Sequence, residues 1–157
     1  MSTSVPLSVT VNGCVQRHDV PANLTLSDFL REWLGLSGTK VACDQGACGA
    51  CTVLVDEAPV TSCLTFAFAA AGKSVRTIEG VAGVDGNLTP VQKAFHAAGV
   101  PQCGFCTPGM VMLAEALMRS DPAPSSDAID CWMSANICRC SGYQVFRRAF
   151  SAVAGEA

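Results

Sequence analysis

Ten cysteines in 157 residues, eight of them in two spaced blocks, constrain this chain more than any other feature. The first block is Cys43-Asp-Gln-Gly-Ala-Cys48-Gly-Ala-Cys51, with Cys63 following after eleven intervening residues. The second is Cys103-Gly-Phe-Cys106 and Cys138-Arg-Cys140, with 31 residues between the pairs. Residues 1–10 carry no basic stretch, long apolar run or twin arginine of the kind an export signal needs. No apolar run reaches membrane-spanning length; residues 64–71 come nearest, and Gly72-Lys73 ends them. The expectation is therefore a cytoplasmic protein without membrane insertion, whose thiols stay reduced. Thiols kept reduced in such number call for a metal.

The spacing narrows which metal. Cys-x4-Cys-x2-Cys is the ligand spacing of a plant-type [2Fe–2S] site, in which a tight loop wraps one side of the cluster. Gly46 and Gly49 let the backbone approach and aim N–H groups at sulfur, and a hairpin after Cys51 returns the chain so that Cys63 completes the set. Cys103, Cys106, Cys138 and Cys140 suit a second two-iron site where two helix connections face each other. Zinc on four thiolates is the rival for either set, and a stronger one for the second. Haem attachment fails because Thr107, not histidine, follows Cys106. Cys14 and Cys131 fall outside both blocks and read as small buried hydrophobes. His18 and His96 read as exposed, and Met110, Met112 and Met118 as core residues. Arg139 stands between two ligands, either offsetting cluster charge or lying plainly on the surface.

The formal charge of −3 offers no basic stripe for phosphates, so nucleic acid is excluded as a partner. With two oxidised clusters on eight thiolates, the same bookkeeping gives about −7. No Ser/His/Asp grouping, paired carboxylates or phosphate-cradling loop is visible, so the chain has no catalytic site of its own.

Two halves follow from the pattern. Residues 1–82 read as strands around one helix: Leu7, Val9 and Val11 alternate, Asn12-Gly13 turns, and Leu26, Phe29, Leu30, Trp33 and Leu34 recur at helical spacing before Gly35. Residues 52–55, 60–63 and 75–78 read as further strands, with residues 56–59 as a turn. Residues 83–157 read as helices. Thr89-Pro90 and Thr107-Pro108 look like N-cap and first-turn proline pairs, a third helix covers residues 126–135, and a fourth starts after Gly142. The boundary falls at residues 83–87. The fold class is α+β, and two helical hairpins carry the second cysteine set at their connections.

Gly38-Thr-Lys40, Cys43-x4-Cys-Gly-Ala-Cys-Thr-Val53, Ser62-Cys-Leu64 and Thr77-Ile-Glu-Gly80 resemble the small subunits of molybdenum hydroxylases. So do Gln102-Cys-Gly-Phe-Cys-Thr-Pro-Gly-Met110 and Asn136-Ile-Cys-Arg-Cys-Ser-Gly-Tyr143. That family includes the xanthine dehydrogenases, aldehyde oxidases and carbon monoxide dehydrogenases. The resemblance implies a β-grasp ferredoxin domain, then a four-helix [2Fe–2S]-binding domain. It implies a large partner subunit holding molybdenum on a molybdopterin dinucleotide and a medium one holding FAD, and it allows for a dimer of the whole complex. Electrons would pass from molybdenum through the second cluster, then the first, to FAD, with Gln102 and Cys140 near the pterin. A self-standing two-cluster ferredoxin is the alternative. Ala42, Ala135 and Cys131 depart from the family's usual residues without touching a ligand position.

Overall fold

A computed structural model describes residues 3–83, 85–100 and 102–155. Strands β1 (Ser4–Val11) and β2 (Cys14–Pro21) form a hairpin across Asn12-Gly13, both with positive φ, as a two-residue turn between twisted strands requires. Strands β3 (Thr52–Val55), β4 (Ala58–Thr61) and β5 (Ser74–Arg76) complete a sheet ordered β2-β1-β5-β3-β4, with β1 and β5 parallel and the other pairs antiparallel. Residues 56–59 were expected to turn as a unit. The turn is only Asp56-Glu57, and Pro59 lies within β4. Proline is tolerated there because β4 is an edge strand and need not donate on its outer side.

One face of this sheet grips α1 (Leu26–Asp28), which continues as a π turn over Phe29–Trp33. Leu26, Phe29 and Leu30 are fully buried against Leu7, Val9, Val11, Val20, Val53, Val55 and Val75. The π turn shifts the side-chain phase, so Trp33 ends up 43% exposed instead of joining the buried stripe. Its ring and that of Phe29 meet His18 edge-on, at centroid distances of 5.8 and 5.5 Å. His18 is thus half-buried, contrary to the exposed position expected, while His96 is exposed. The strand expected over residues 75–78 stops at Arg76, because the Thr77 N–H is taken by Asn12 Oδ1 at 2.9 Å.

The second half holds four helices: α2 (Pro90–Ala97), α3 (Thr107–Ser120), α4 (Ser126–Met133) and α5 (Tyr143–Ala154). Thr89 caps α2 through a full capping box with Gln92. Thr107 does not repeat that role: Cys106 occupies the cap position, and the Thr107 hydroxyl is buried without a partner. Helix α4 ends two residues earlier than expected, as Ala135 and Asn136 tighten to hydrogen bonds three residues back. Met110 and Met112 are buried and Met118 packs against the same core, as expected. Cys14 and Cys131 are both exposed, which corrects their reading as buried hydrophobes. No helix of the described residues is long and apolar enough to cross a membrane.

Strand β3 joins the two halves. Its four residues are all buried, and alternation sends Val53 and Val55 into the sheet–helix core and Leu54 into the helical core. Burial of Leu54 contributes roughly 1.5–3 kcal/mol to that junction. Glu57 adds ion pairs to Arg76, at 2.8 Å, and to Arg119 on α3. The closest approach lies at Gly49, where φ is +70° and an added methyl would overlap the Ala135 carbonyl oxygen. Gly49→Ala is therefore expected to cost roughly 1–2 kcal/mol for the left-handed backbone and roughly 1–3 kcal/mol more for the overlap. Gly72→Ala, at φ +74° with open space around it, should cost only the first amount. Denaturant midpoints of the two variants check this, and equal losses would contradict a backbone-tight junction.

Candidate metal centres

The first cysteine block is a loop without regular structure between the π turn and β3. Arg31, on that turn, steadies its approach by donating to the carbonyls of Ser37 and Thr39 at 3.1 and 2.7 Å. The Gly38 N–H donates to Glu79 at 2.7 Å, tying the loop to the far side of the sheet. Cys63 arrives after the β3–β4 hairpin, at the start of a 3₁₀ turn, Ser62–Leu64. The Ser62 hydroxyl donates to the Cys51 carbonyl at 2.7 Å, so the hairpin registers Cys63 against the loop.

The four thiols of this block lie close enough to influence one another as two pairs, Cys43 with Cys48 and Cys63 with Cys51. The two pairs differ in surroundings. Cys43 and Cys48 are half-buried; Cys51 and Cys63 are only 2% and 4% exposed. The Gln45 backbone N–H, then the Cys48 thiol, lowers the Cys43 pKa to about 7. Burial, then the Cys51 thiol, pushes Cys63 up to about 11. The Cys48 N–H also points at Cys43 Sγ, at 3.4 Å.

The second block repeats this arrangement on helices. Cys103 and Cys106 precede α3, and Cys138 and Cys140 lie between α4 and α5. Here Cys103 pairs with Cys140, and Cys106 with Cys138. Cys103 is exposed and Cys140 half-buried, whereas Cys106 and Cys138 are buried. The Phe105 backbone N–H, then the Cys140 thiol, lowers Cys103; burial, then Cys138, pushes Cys106 up to about 12. The Gly142 N–H donates to Cys138 Sγ at 3.3 Å, and the Tyr143 hydroxyl accepts from the Cys138 N–H at 2.8 Å. The four thiols line a cavity of about 30 Å³ together with Gly104, Gly142 and Phe146.

The chemistry of the two donor sets can be compared with what a two-iron cluster needs. Each site has two thiol pairs side by side, with backbone N–H groups aimed at sulfur, which suits two irons taking two thiolates each. Burial raises Cys63 and Cys106, and ferric iron would supply the positive charge that holds them as thiolates.

Gln102 and Cys140 are brought together: the Gln102 side-chain amide donates to the Cys140 carbonyl at 3.3 Å, at the exposed end of the second site. Arg139 is exposed and borders a groove with Ala42, Cys48, Phe105 and Ile137. Sequence reasoning missed Asn136, which is 1% exposed and bonds to both cysteine loops. It also missed Tyr143 as a support for Cys138. The only signal for either was its place in the motif around Cys138 and Cys140.

Residues 9–75 match the 2Fe-2S iron-sulfur cluster binding domain family, and residues 77–151 match the [2Fe-2S] binding domain family. The nicotine 6-hydroxylase small subunit of Paenarthrobacter nicotinovorans is 43% identical over 155 residues, covering 99% of this chain and 93% of that protein. The caffeine dehydrogenase subunit gamma of Pseudomonas sp. (strain CBB1) is 44% identical over 156 residues, covering 98% and 92%. In the crystal structure of quinoline 2-oxidoreductase from Pseudomonas putida 86, one chain superposes with a TM-score of 0.91 at 43% identity, covering 98% of this chain and 96% of that one. With two [2Fe–2S]-binding domains in succession and near full-length similarity to such subunits, the chain belongs to the small iron–sulfur, electron-transfer subunits of the molybdenum hydroxylase family.

Proposed function

We propose that this subunit relays electrons from a molybdopterin-bound molybdenum in a large partner subunit, through two [2Fe–2S] clusters, to FAD in a medium one. Cys43, Cys48, Cys51 and Cys63 hold the cluster nearer flavin; Cys103, Cys106, Cys138 and Cys140 hold the one nearer molybdenum. Within each set, the thiol pairs would divide the irons into an outer one, on the more accessible pair, and an inner one, on the buried pair. Gln102 and Cys140, joined by the hydrogen bond from the exposed Gln102 amide to the Cys140 carbonyl, face the pterin. The domains divide at residues 83–87, of which Val84 lies outside the described residues. The complex works in the cytoplasm and pairs as a dimer.

The observation that carries this reading is that each thiol set has a buried inner pair and a more accessible outer pair, half-buried at Cys43, Cys48 and Cys140 and exposed at Cys103. The more accessible pair gives each cluster a side on which a partner's cofactor can approach. The clusters supply one-electron chemistry when bound. The chain's own residues position the thiolates, direct N–H groups at sulfur and exclude water from the inner pairs.

Replacing single ligands tests the assignment. Cys63→Ala and Cys138→Ala are each expected to lose about half the iron of the parent, one cluster of two, as measured by iron per chain and visible circular dichroism. Loss of all iron, or of none, would contradict the division into two sets. Native purification tests the relay. The subunit should co-purify with molybdenum- and flavin-containing chains, and isolation as a lone soluble carrier would overturn the assignment in favour of a free ferredoxin.

A further inference from the structure

The two thiol sets meet through one dipeptide, Asn136-Ile137, directly ahead of Cys138. The Ile137 N–H donates to the carbonyl of Cys48 at 2.9 Å. The Asn136 side-chain amide donates to the carbonyl of Gly49 at 3.3 Å and reaches that of Cys106 at 3.5 Å, the outer limit of a hydrogen bond. One short segment therefore touches the backbone of a first-site ligand, the residue after it, and a second-site ligand.

The surroundings leave no slack. A methyl at Gly49 would overlap the Ala135 carbonyl, and one at Gly109, on α3, would overlap both the Asn136 amide and the Gly49 carbonyl. Both acceptors are carbonyl oxygens, so only the NH2 side of the amide serves them. That orientation leaves Asn136 Oδ1 buried without a partner.

We propose that Asn136 is a positioning residue of the relay. Its amide and the Ile137 N–H hold the two cysteine loops at one separation and form the bridge that couples the clusters electronically. The inference rests on the two-cluster relay proposed above. With both clusters bound, the chemistry they would supply across this bridge is the transfer of one electron, with no atom or proton exchanged. The bonded route runs from Cys48 through its carbonyl, across a single hydrogen bond to the Ile137 N–H, and along the chain to Cys138. Tunnelling through bonds meets a lower barrier than tunnelling across a van der Waals gap, so holding that hydrogen bond closed favours the transfer.

Asn136→Asp tests the bridge, because it keeps the side chain's size while removing its donors and setting an anion against two carbonyls. The full chain, loaded with both clusters and reduced with dithionite, is expected to give two EPR signals split by mutual spin–spin interaction. In Asn136→Asp the splitting should be lost and electron equilibration between the clusters after rapid photoreduction should slow, while each signal keeps its own g-values. Asn136→Ser, which shortens the side chain without adding charge, is the second arm and should act in the same direction. Unchanged splitting and equilibration in both variants would overturn the proposal. Loss of a cluster from both would also overturn it, since Asn136 would then act in holding metal and not in coupling. The parent's two signals test the relay itself, so the two readings can fail separately.

Discussion

The contact on which the rest depends is the crossing of two backbones, where residues 135–137 lie over residues 48–49. A carbonyl there accepts from an N–H at 2.9 Å, and no side chain larger than hydrogen fits at Gly49. This joins two small domains, each with its own apolar core, into one body. Leu54 and the Glu57 ion pairs support the junction from the sheet side. Because the crossing lies among the ligand loops themselves, the distance between the two metal sites is set there, by the backbone contacts and by the buried Asn136 amide.

Electrostatics gives each site a direction. Backbone N–H groups favour the thiolate at Cys43 and Cys103, whereas burial pushes Cys63 and Cys106 up. Ferric iron at these sites would supply the positive charge that holds Cys63 and Cys106 as thiolates. Metal binding and packing of the loops are therefore coupled, and the less buried outer pair is the side open to a partner.

Much of this was legible in the cysteine spacing, because ligand geometry restricts sequence distance more tightly than hydrophobic packing does. The Asn12-Gly13 hairpin and the Thr89 capping box were legible for the same reason: local hydrogen bonds impose local residue types. Thr107-Pro108 carried the same signature yet failed as a cap, since the chain before it is bent by the metal loop and Cys106 takes the position. The π turn that turns out Trp33 and brings His18 against the rings leaves no mark in periodicity. Nor could spacing say which thiols pair, or that Asn136 spans both loops, because those depend on how the two halves dock. Exposed Cys14 and Cys131 show the converse: cysteine's usual burial is a tendency, and nothing local enforces it.

The central claim is that this fold holds two distinct [2Fe–2S] clusters. An EPR-monitored redox titration of the native protein, with iron and acid-labile sulfide measured on the same sample, tests it most directly. The account predicts about four irons and four sulfides per chain, with two reduced-state signals that differ in g-values and in midpoint potential. Stoichiometric zinc without labile sulfide, or one signal accounting for all the iron, would contradict it.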